Sequence, residues 1–321
     1  MEYILIVNPA AGKANAAMSL LPELTRYCKQ QGLAYTVEAT QYPGHGQEIS
    51  ARWAHTGRQV CLCACGGDGT LHEVINGAYG FPNASVACFP CGTGNDFVRT
   101  FGTTGSFLAP SQLDKGEELY IDLIRTHNGF SAGVCSAGID ASVAYGIPKY
   151  RRLPFCGGET AYRLSIVENL CRHIGTPMAI QVDEERFSGE FLMVTIANGT
   201  TYGGGFCAAP EALADDGLLD VLLVKKIGRA KIARVLPLYQ KGKHMQGEKI
   251  IPQLQDIILY RRAKRVALSS HVPFVATEDG ECEKNTGFEA AVEPAALRFR
   301  LPASLAAQYR RKKEQKIADI L

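Results

Sequence analysis

The sequence lacks any apolar run close to the roughly 18 residues that a membrane-spanning helix requires. Its opening residues, MEYILIVNPAAGK, lack the basic start and the longer apolar stretch of a secretory signal peptide. Both absences predict a cytoplasmic protein. The chain also lacks a large excess of either charge, because 34 Lys and Arg stand against 32 Asp and Glu. This balance argues against a dedicated nucleic-acid binder.

Several familiar site motifs are missing as well. There is no GxxxxGK[ST] sequence, which excludes a P-loop nucleotidase, and no GxGxxG after the first apolar run, which disfavours a Rossmann dinucleotide site. HEVIN (72–76) has Asn76 where a zinc-binding HExxH motif needs its second histidine. CFPC (88–91) has no second cysteine pair at zinc-ribbon spacing. The 11 cysteines form no secreted disulfide pattern, and those in apolar runs are expected to pack as small hydrophobes.

The pattern that is present divides the chain into two parts. In the first hundred residues, strand-like apolar runs alternate with helical stretches, which is typical of a parallel α/β sheet. After the turn-rich residues 102–117, strand patterns predominate, with helices predicted only at 158–173, 228–242 and the C-terminus. We therefore predict an N-terminal parallel α/β domain over 1–118 and a C-terminal β-sandwich domain over 119–302.

Gly-rich turns stand where the strands of the first domain are expected to end. They are NPAAGK (8–13), the region around Thr40, GGDGT (66–70) and PCGTGND (90–96). Ligands of open α/β sheets bind outside the carboxyl ends of the strands. Glycine lets backbone N–H groups approach a phosphate, and a following helix N-terminus adds favourable dipole charge. One such turn can be purely structural, but several at one sheet edge predict a phosphate-binding site.

Two acidic stretches lie in the second domain. PEALADDGLLD (210–220) places Asp215 and Asp216 before a glycine, which suits either a tight turn or a site for a hard cation. VATEDGE (275–281) runs from a strand into clustered carboxylates. That arrangement suits either an acidic hairpin tip or a general base for an alcohol that attacks a phosphate. The residues alone leave both choices open.

Basic residues cluster at KYRR (149–152), RRAKR (261–265) and RRKKEQK (310–316). Clusters of this kind favour contact with an anionic membrane surface. They also occur as the solvated faces of ordinary surface helices, so the pattern alone does not decide between the two.

Taken together, these motifs resemble the soluble diacylglycerol kinase and sphingosine kinase-like lipid kinase family, most closely its bacterial soluble diacylglycerol kinases. The matching stretches, in the family's order, are NPAAGK, CGGDGTLHEVINGA, FPCGTGNDFVR, YIDLI, IANGTTYGGGF, PEALADDGLLDV and ATEDGE. GGDGT alone also occurs in NAD kinases and phosphofructokinases, whereas its combination with PxGTGND and a late DGE is specific. The resemblance implies a nucleotide-binding first domain completed by a C-terminal helix at 303–321, with the site in the cleft between the domains.

The resemblance also implies a reaction and roles for individual residues. It implies transfer of a phosphoryl group from ATP, with Mg²⁺, to a lipid hydroxyl, most simply diacylglycerol giving phosphatidic acid for phospholipid biosynthesis. The general base is expected to be Asp279 or Glu281, with Asp68 also catalytic. The residues expected to bind the nucleotide are Asn8, Pro9, Gly12, Thr40, Gly66, Gly67, Asp68, Gly69, Thr70, Glu73, Gly92, Thr93, Gly94 and Asn95.

Two magnesium sites are implied in the same way. Asp68, Asp96 and Asp122 fall on positions that the family uses to hold Mg²⁺ through water near the phosphates. Asp216, with the backbone oxygens of Leu213 and Leu218, matches a second, structural Mg²⁺ site. Some relatives carry Lys in place of Leu213, which matters little where the ligand is a carbonyl.

Other functions remain open on the sequence. One is a kinase for another lipid alcohol, such as a sphingoid base or phosphatidylglycerol. A kinase of the NAD kinase type, acting on a soluble substrate, fits less well because of the long β-rich domain and the basic clusters. A catalytically idle lipid-binding protein would have broken phosphate loops or lack the late acidic residues. Peripheral contact with an anionic membrane and a homodimer through an exposed sandwich edge are further expectations.

Overall fold

A computed structural model describes residues 1–12, 16–151, 158–171 and 174–320. It separates the chain into two compact units. The first comprises Met1–Leu123, Leu213–Asp216 and Glu293–Leu321, and the second comprises Ile124–Ala212 and Gly217–Val292. Among the segments predicted from sequence, Lys13, Arg152, residues 172–173 and Leu321 lie outside the described residues.

The first unit is built on a parallel sheet whose strands alternate with helices along the chain. In order, its elements are β1 (Glu2–Val7), α1 (Ala16–Gln31), β2 (Tyr35–Ala39), α2 (His45–Ala54), β3 (Val60–Gly66), α3 (Asp68–Ala78), β4 (Ala84–Pro90), the one-turn α4 (Gln112–Lys115) and β5 (Glu117–Arg125), which runs on into the second unit. The strand order is β4–β3–β1–β2, and every neighbouring pair is parallel. This confirms the predicted parallel α/β architecture.

The central strands of this sheet are buried along their whole length. β3 and β4 are apolar runs without a polar face, as expected for strands that helices cover on both sides. Cys61, Cys63 and Cys65 lie fully inside the core. Burial raises the pKa of the Cys63 thiol well above its ordinary value, so this group is a neutral packing residue. The expectation that these cysteines act as small hydrophobes is confirmed.

The second unit is dominated by antiparallel strands. In order, its elements are β6 (Phe130–Ser131), β7 (Val134–Gly138), α5 (Ile139–Arg151), α6 (Gly158–Cys171), β8 (Thr176–Val182), β9 (Glu185–Ala197), β10 (Leu219–Lys225), α7 (Arg229–Gln240), β11 (Met245–Gln246), β12 (Lys249–Ile250), β13 (Ile258–Ala263), β14 (Arg265–Glu278) and β15 (Glu281–Leu301). The main path runs β13–β10–β9–β7–β14–β15, and each of these neighbours is antiparallel.

Two long strands divide this sheet into two layers. The first halves of β9 and β14 pair with β8, whereas their second halves pair with β7. Side chains from both layers meet in one apolar core, which includes Ile180, Ile196, Val221, Leu268 and Phe288. This arrangement confirms the predicted sandwich, because alternate residues of each antiparallel strand turn inward.

The sequence pattern predicts no helix over residues 139–151, where the structure has α5. Gly146 and Pro148 interrupt the helical pattern there and obscured it. Gly146 has a packing role, because a Cβ at this position would lie 2.5 Å from Oγ of Ser165 in α6. The glycine therefore marks a close approach of two helices instead of the end of one.

The end of the chain belongs to the first unit. Phe299 and Arg300 of β15 pair in parallel with β4, and α8 (Ala303–Ile320) follows. Residues 293–302, which the sequence analysis places in the second domain, lie in the first unit together with Leu213–Asp216. None of the helices in the described part of the chain is long and apolar enough to cross a bilayer.

Candidate active site

Three Gly-rich turns follow neighbouring strands of the parallel sheet. Cys65 in β3 is aligned with Val7 in β1 on one side and with Phe89 in β4 on the other. The turns that begin at residues 8, 66 and 90 therefore leave the sheet at the same edge. This is the edge at which open α/β sheets bind ligands, so the geometry brings the three predicted phosphate loops together.

Direct contacts join these loops. The Asn8 side-chain amide donates to Oγ1 of Thr70 at 3.1 Å. The backbone N–H groups of Cys91 and Gly92 donate to the Gly66 carbonyl at 2.9 and 3.0 Å. A Cβ on Gly92 would lie 2.2 Å from Cα of Gly67, so the second and third loops touch backbone to backbone. Both glycines are therefore needed for packing between the loops.

Asp68 connects the same two loops through its carboxylate. Its Oδ1 and Oδ2 accept the backbone N–H of Asp96 at 2.8 and 2.9 Å, and Oδ1 also lies 3.4 Å from the N–H of Phe97. Its own N–H donates to the Gly94 carbonyl at 3.0 Å. A carboxylate at the centre of a phosphate loop is thus explained by charge-assisted hydrogen bonds that fix the neighbouring loop.

The start of α3 is suited to bind an anion. The helix begins at Asp68 and runs for 11 residues, and Gly69 in its first turn is exposed. The first N–H groups of a helix have no intrahelical acceptor, and the helix dipole adds positive charge at this end. Thr93 is exposed in the adjacent loop. The first turn of α3 and the 92–95 loop therefore supply N–H and hydroxyl donors to one region.

Glu73 serves the loop that follows β2. Its Oε1 and Oε2 accept the N–H groups of Gly44 and Gly46, each at 2.8 Å. That loop starts at Thr40, whose N–H donates to the Val7 carbonyl at 2.9 Å. Glu73 thus fastens the Thr40 loop to α3, and its expected contact with a nucleotide stays a prediction.

The same loop carries two aromatic rings that the sequence analysis did not single out. Tyr42 is half-exposed and stacks on His45, with ring centroids 4.6 Å apart and planes 16° from parallel. The Tyr42 hydroxyl also donates to Glu48 at 2.7 Å. The sequence signal was available in TQYPGHG, because an aromatic residue beside a Pro-Gly turn has little apolar core to enter.

The acidic residues expected near Mg²⁺ have separate surroundings. Asp96 lies 3.5 Å from Nε of Arg99. Asp122 is almost fully buried, and its Oδ1 accepts the N–H of Ala295 at 2.7 Å. Within the described ranges, no three His, Cys, Asp or Glu side chains are grouped so as to hold a metal ion directly. Asp68 and Asp96 supply hard oxygen atoms, which fit Mg²⁺ held through water better than direct ligation.

The segment 213–216 is fastened to α8. Oδ1 of Asp215 accepts the Tyr309 hydroxyl at 2.8 Å, and the Ala214 N–H donates to the same hydroxyl at 2.7 Å. Lys313 Nζ lies 2.7 Å from Oδ2 of Asp215. Of the residues expected at a structural Mg²⁺ site, Leu213 and Asp216 lie in this segment, while Leu218 lies in the second unit.

The late acidic motif forms a tight hairpin in the second unit. Glu278 at the end of β14 is paired with Glu281 at the start of β15. The intervening Asp279 and Gly280 have φ angles of 48° and 100°, as in a type I′ turn. Asp and Gly tolerate this left-handed conformation better than other residues do, so the turn itself accounts for the Asp-Gly pair.

The three carboxylates of this hairpin have different environments. Asp279 accepts the N–H groups of Ala132, Gly133 and Val134 at 2.8, 3.0 and 3.1 Å. Glu278 is buried and accepts hydrogen bonds from Thr126 and Asn128, which the sequence analysis also missed. Glu281 is exposed, and no other group in the described residues bonds to its side chain.

A groove of about 1260 Å³ lies within the second unit. Its floor includes Ala179, Ala267, Ser269 and Gly287, which the strand registers place on one face of β8, β14 and β15. Such small side chains leave room above the sheet. Thr126 lines one part of the groove and also contacts Glu278, so the groove adjoins the turn that holds the acidic hairpin.

The fold and the loops define a class of two-unit proteins, in which an α/β unit carries joined Gly-rich loops and a sandwich unit carries an acidic hairpin. Residues 2–126 match the family model for the diacylglycerol kinase catalytic domain. Residues 133–300 match the model for the YegS C-terminal NAD kinase beta sandwich-like domain. The chain belongs to the bacterial soluble diacylglycerol kinase-like family, and it is a lipid kinase.

Individual relatives agree with this assignment. The chain is 28% identical over 279 residues to a diacylglycerol kinase of Staphylococcus saprophyticus, which covers 86% of this chain and 88% of the relative. It is 27% identical to one of Staphylococcus carnosus, with coverages of 86% and 87%. A crystal structure of a putative diacylglycerol kinase from Bacillus anthracis str. Sterne has the same fold, with a TM-score of 0.71, 20% identity and coverages of 93% and 96%.

Proposed function

We propose that this lipid kinase transfers the γ-phosphoryl group of ATP, with Mg²⁺, to the free hydroxyl of diacylglycerol and so forms phosphatidic acid. The main support for this proposal is that the loops at residues 8–12, 66–70 and 90–96 are hydrogen-bonded to one another. The start of α3 lies among these loops. This arrangement supplies N–H donors to a polyphosphate without a covalent group, as phosphoryl transfer requires. The acceptor follows from the relatives, which are named diacylglycerol kinases.

The residues expected at the nucleotide divide into two roles. Gly69 and Thr93 are exposed, and we assign the Gly69 N–H and the Thr93 hydroxyl to the phosphates. The side chains of Asn8, Asp68, Thr70 and Glu73 each bond to a neighbouring loop, and we assign them to holding those loops in place. When bound, Mg²⁺ would offset the charge of the phosphates, with Asp68 and Asp96 as water-mediated partners.

Glu281 is the better candidate for the general base. A base needs an unoccupied oxygen to accept the proton of the attacking hydroxyl. The oxygens of Asp279 are already committed to three backbone N–H groups, whereas Glu281 is exposed beside them. As the lipid oxygen bonds to the γ-phosphorus, the bond to the β-phosphate oxygen breaks, the proton passes to Glu281 and ADP leaves.

The groove in the second unit supports a lipid acceptor. Its volume of about 1260 Å³ leaves room for a lipid, and its lining combines small and apolar side chains with Arg125, Arg186 and Arg265. We place the acyl chains along its floor of small side chains. The glycerol hydroxyl would then lie toward the end that contains Thr126, next to the acidic hairpin.

A kinase assay with labelled ATP tests the proposal. Diacylglycerol, a sphingoid base and phosphatidylglycerol are presented in mixed micelles, with and without Mg²⁺, and NAD is included as a soluble acceptor. We expect label in phosphatidic acid, lost when Mg²⁺ is chelated. Preferential labelling of another lipid would overturn the choice of diacylglycerol as substrate. Labelling of NAD alone would overturn the proposal that the groove binds a lipid.

Two further parts of the proposal concern assembly and place of action. We propose that the enzyme meets its substrate by peripheral contact with an anionic membrane. A homodimer formed through an exposed edge of the sandwich stays a prediction. β13 is the outermost strand on the main path of the sheet and is the edge to examine. Light scattering of the purified protein tests this, and a monomer mass at micromolar concentration would contradict it.

A further inference from the structure

One stretch of the second unit carries many cations and no carboxylates. Residues 221–247 contain Lys225, Lys226, Arg229, Lys231, Arg234, Lys241 and Lys243, with no Asp or Glu. The whole chain is nearly balanced, with a net charge of +2. The positive charge is therefore concentrated locally, on α7 and the residues that flank it.

α7 turns its cations away from the core. Ile232, Val235 and Tyr239 are buried and pack against β10 and the residues that follow α7. Lys231, Arg234 and Lys241 are exposed. Their spacing of three and seven residues places them along one side of the helix. Lys231 and Arg234 therefore form an exposed row on α7, and Lys241 extends it just after the last residue of the helix.

These cations differ from the three arginines of the basic cluster at 261–265. In the 261–265 cluster, Arg261 pairs with Glu185 at 2.7 Å, Arg262 with Glu248 at 3.4 Å and Arg265 with Glu289 at 2.7 Å. Each of those charges is offset by a neighbouring carboxylate.

The row on α7 has no such partners. Within the described ranges, no carboxylate forms an ion pair with Lys231, Arg234, Lys241 or Lys243, whereas Lys226 nearby pairs with Glu190 at 2.7 Å. The α7 row therefore retains its positive potential. Unlike those paired arginines, it can attract an anionic surface without first breaking an ion pair.

We propose that the outer face of α7, with Lys231 and Arg234, together with Lys241 and Lys243 just after its end, docks the enzyme on an anionic lipid bilayer. Between the cations, Ala230, Ala233 and Pro237 are exposed and short, so the helix can lie close to a flat surface. This docking surface depends on the proposed function in one respect, which is that a lipid substrate brings the enzyme to a membrane.

Vesicle binding by the full chain tests the proposal. The probes are vesicles of phosphatidylglycerol mixed with phosphatidylcholine, and vesicles of phosphatidylcholine alone. The test variant carries Lys231→Gln, Arg234→Gln and Lys241→Gln. The control carries Arg52→Gln, Arg58→Gln and Arg310→Gln, which remove the same charge from exposed cations that pair with Glu38, Glu2 and Glu117.

We expect the wild type to sediment with the anionic vesicles only, and less as salt is raised. Each cation near an anionic membrane contributes up to about fivefold in binding, so the α7 variant should bind at least about tenfold more weakly. The control variant should change binding by less than about twofold. Equal losses in both variants, no binding by the wild type, or stronger binding to duplex DNA at the same salt would each overturn the proposal.

A parallel assay separates this inference from the proposed function. On short-chain diacylglycerol in neutral detergent micelles, the α7 variant should keep the wild-type rate, because no bilayer has to be reached. If the wild type binds anionic vesicles but phosphorylates no lipid, the proposed function fails and the docking surface stands. If the kinase is active but vesicle binding does not depend on the α7 row, the docking surface alone fails.

Discussion

Asp279 and Glu281 are two residues apart in the sequence, yet their carboxylates have different hydrogen-bonding environments. Asp279 stands at a left-handed position of a two-residue turn and accepts three backbone N–H groups. Glu281 begins the next strand with its side chain exposed. The sequence showed that an acidic motif was present but left open which carboxylate was the base. The distinction depends on hydrogen bonds to residues 132–134, which lie far away along the chain.

The first prediction contrasts substitutions at these two positions. Glu281→Gln should reduce kcat by about 10²–10⁴-fold and leave ATP binding and the unfolding temperature unchanged, because it removes only a proton acceptor. Asp279→Asn should lower the free energy of unfolding by about 1–3 kcal/mol, because one amide group would face a buried N–H donor. Kinetics and thermal unfolding of both variants check this. If the Asp279→Asn variant were stable but inactive and the Glu281→Gln variant were active, Asp279 would be the general base instead of Glu281.

A second prediction concerns Asp68. If its carboxylate joins two loops, Asp68→Ala should lower both the unfolding temperature and the affinity for Mg·ATP, since each charged hydrogen bond contributes about 1.5–3 kcal/mol. If Asp68 acted only through magnesium-bound water, the unfolding temperature without ligand would not change. Calorimetry without nucleotide distinguishes the two cases. Asp256→Ala, at an exposed position of the second unit, is the control and should leave both quantities unchanged.

At the scale of elements, periodicity predicted most of the strands and helices. The alternation of strands and helices in the first hundred residues, and the helices near 158–173 and 228–242, are confirmed. α5 was missed because Gly146 and Pro148 weaken its helical pattern, and only the contact with α6 explains the glycine. Local sequence cannot report a contact between two helices, so this kind of error is expected.

A third prediction tests how α8 is attached. The Tyr309 hydroxyl is buried between the Ala214 N–H and the Asp215 carboxylate. Tyr309→Phe removes both bonds and should lower the free energy of unfolding by about 1–3 kcal/mol. Chemical denaturation measures this. Tyr120→Phe, at an exposed tyrosine, is the matched control and should have no effect, and equal effects of the two changes would contradict the role of this contact.

A fourth prediction concerns the groove between β8, β14 and β15. Ala267→Phe should fill part of its floor and lower kcat/KM for long-chain diacylglycerol at least about tenfold, since a pocket is sensitive to changes of one or a few methylene groups. KM for ATP should not change, because Ala267 lies in the second unit. Ala267→Ser keeps the side chain small and should behave as the wild type. An equal loss with both substitutions would show that the groove does not hold the lipid.

At the scale of the whole molecule, the chain passes between the two units several times. The first unit takes residues from three separate stretches, ending at Leu123, Asp216 and Leu321. The residue pattern predicted the C-terminal helix, and the family resemblance predicted that this helix completes the first domain. Neither gave a sign of the short return at 213–216, because four residues are too few to show a periodicity. The return of this segment to the first unit is seen only in the structure, where the Asp122 N–H in β5 donates to the Ala214 carbonyl.

The fifth prediction follows from this interleaving. A fragment of residues 1–123 should not fold cooperatively, because it lacks the β15 residues beside β4 and the whole of α8. A fusion of 1–123 to 293–321 through a flexible linker should recover cooperative unfolding in part, since Asp122 and Ala295 are in direct contact. Circular dichroism during thermal unfolding compares them. A cooperative transition in the shorter fragment would show that the first unit is complete without its returning segments.

The close packing of Gly67 against Gly92 limits which substitutions this site can accept during evolution. A Cβ on Gly92 would meet the Gly67 backbone, and a Cβ on Gly67 would meet the Gly94 carbonyl at 2.7 Å. In an ordinary core, a larger side chain can be accommodated by a smaller one opposite. Here the opposing atoms are main chain, so no second substitution can make space. We therefore expect libraries that vary both positions to recover glycine at each, whatever the acceptor lipid under selection.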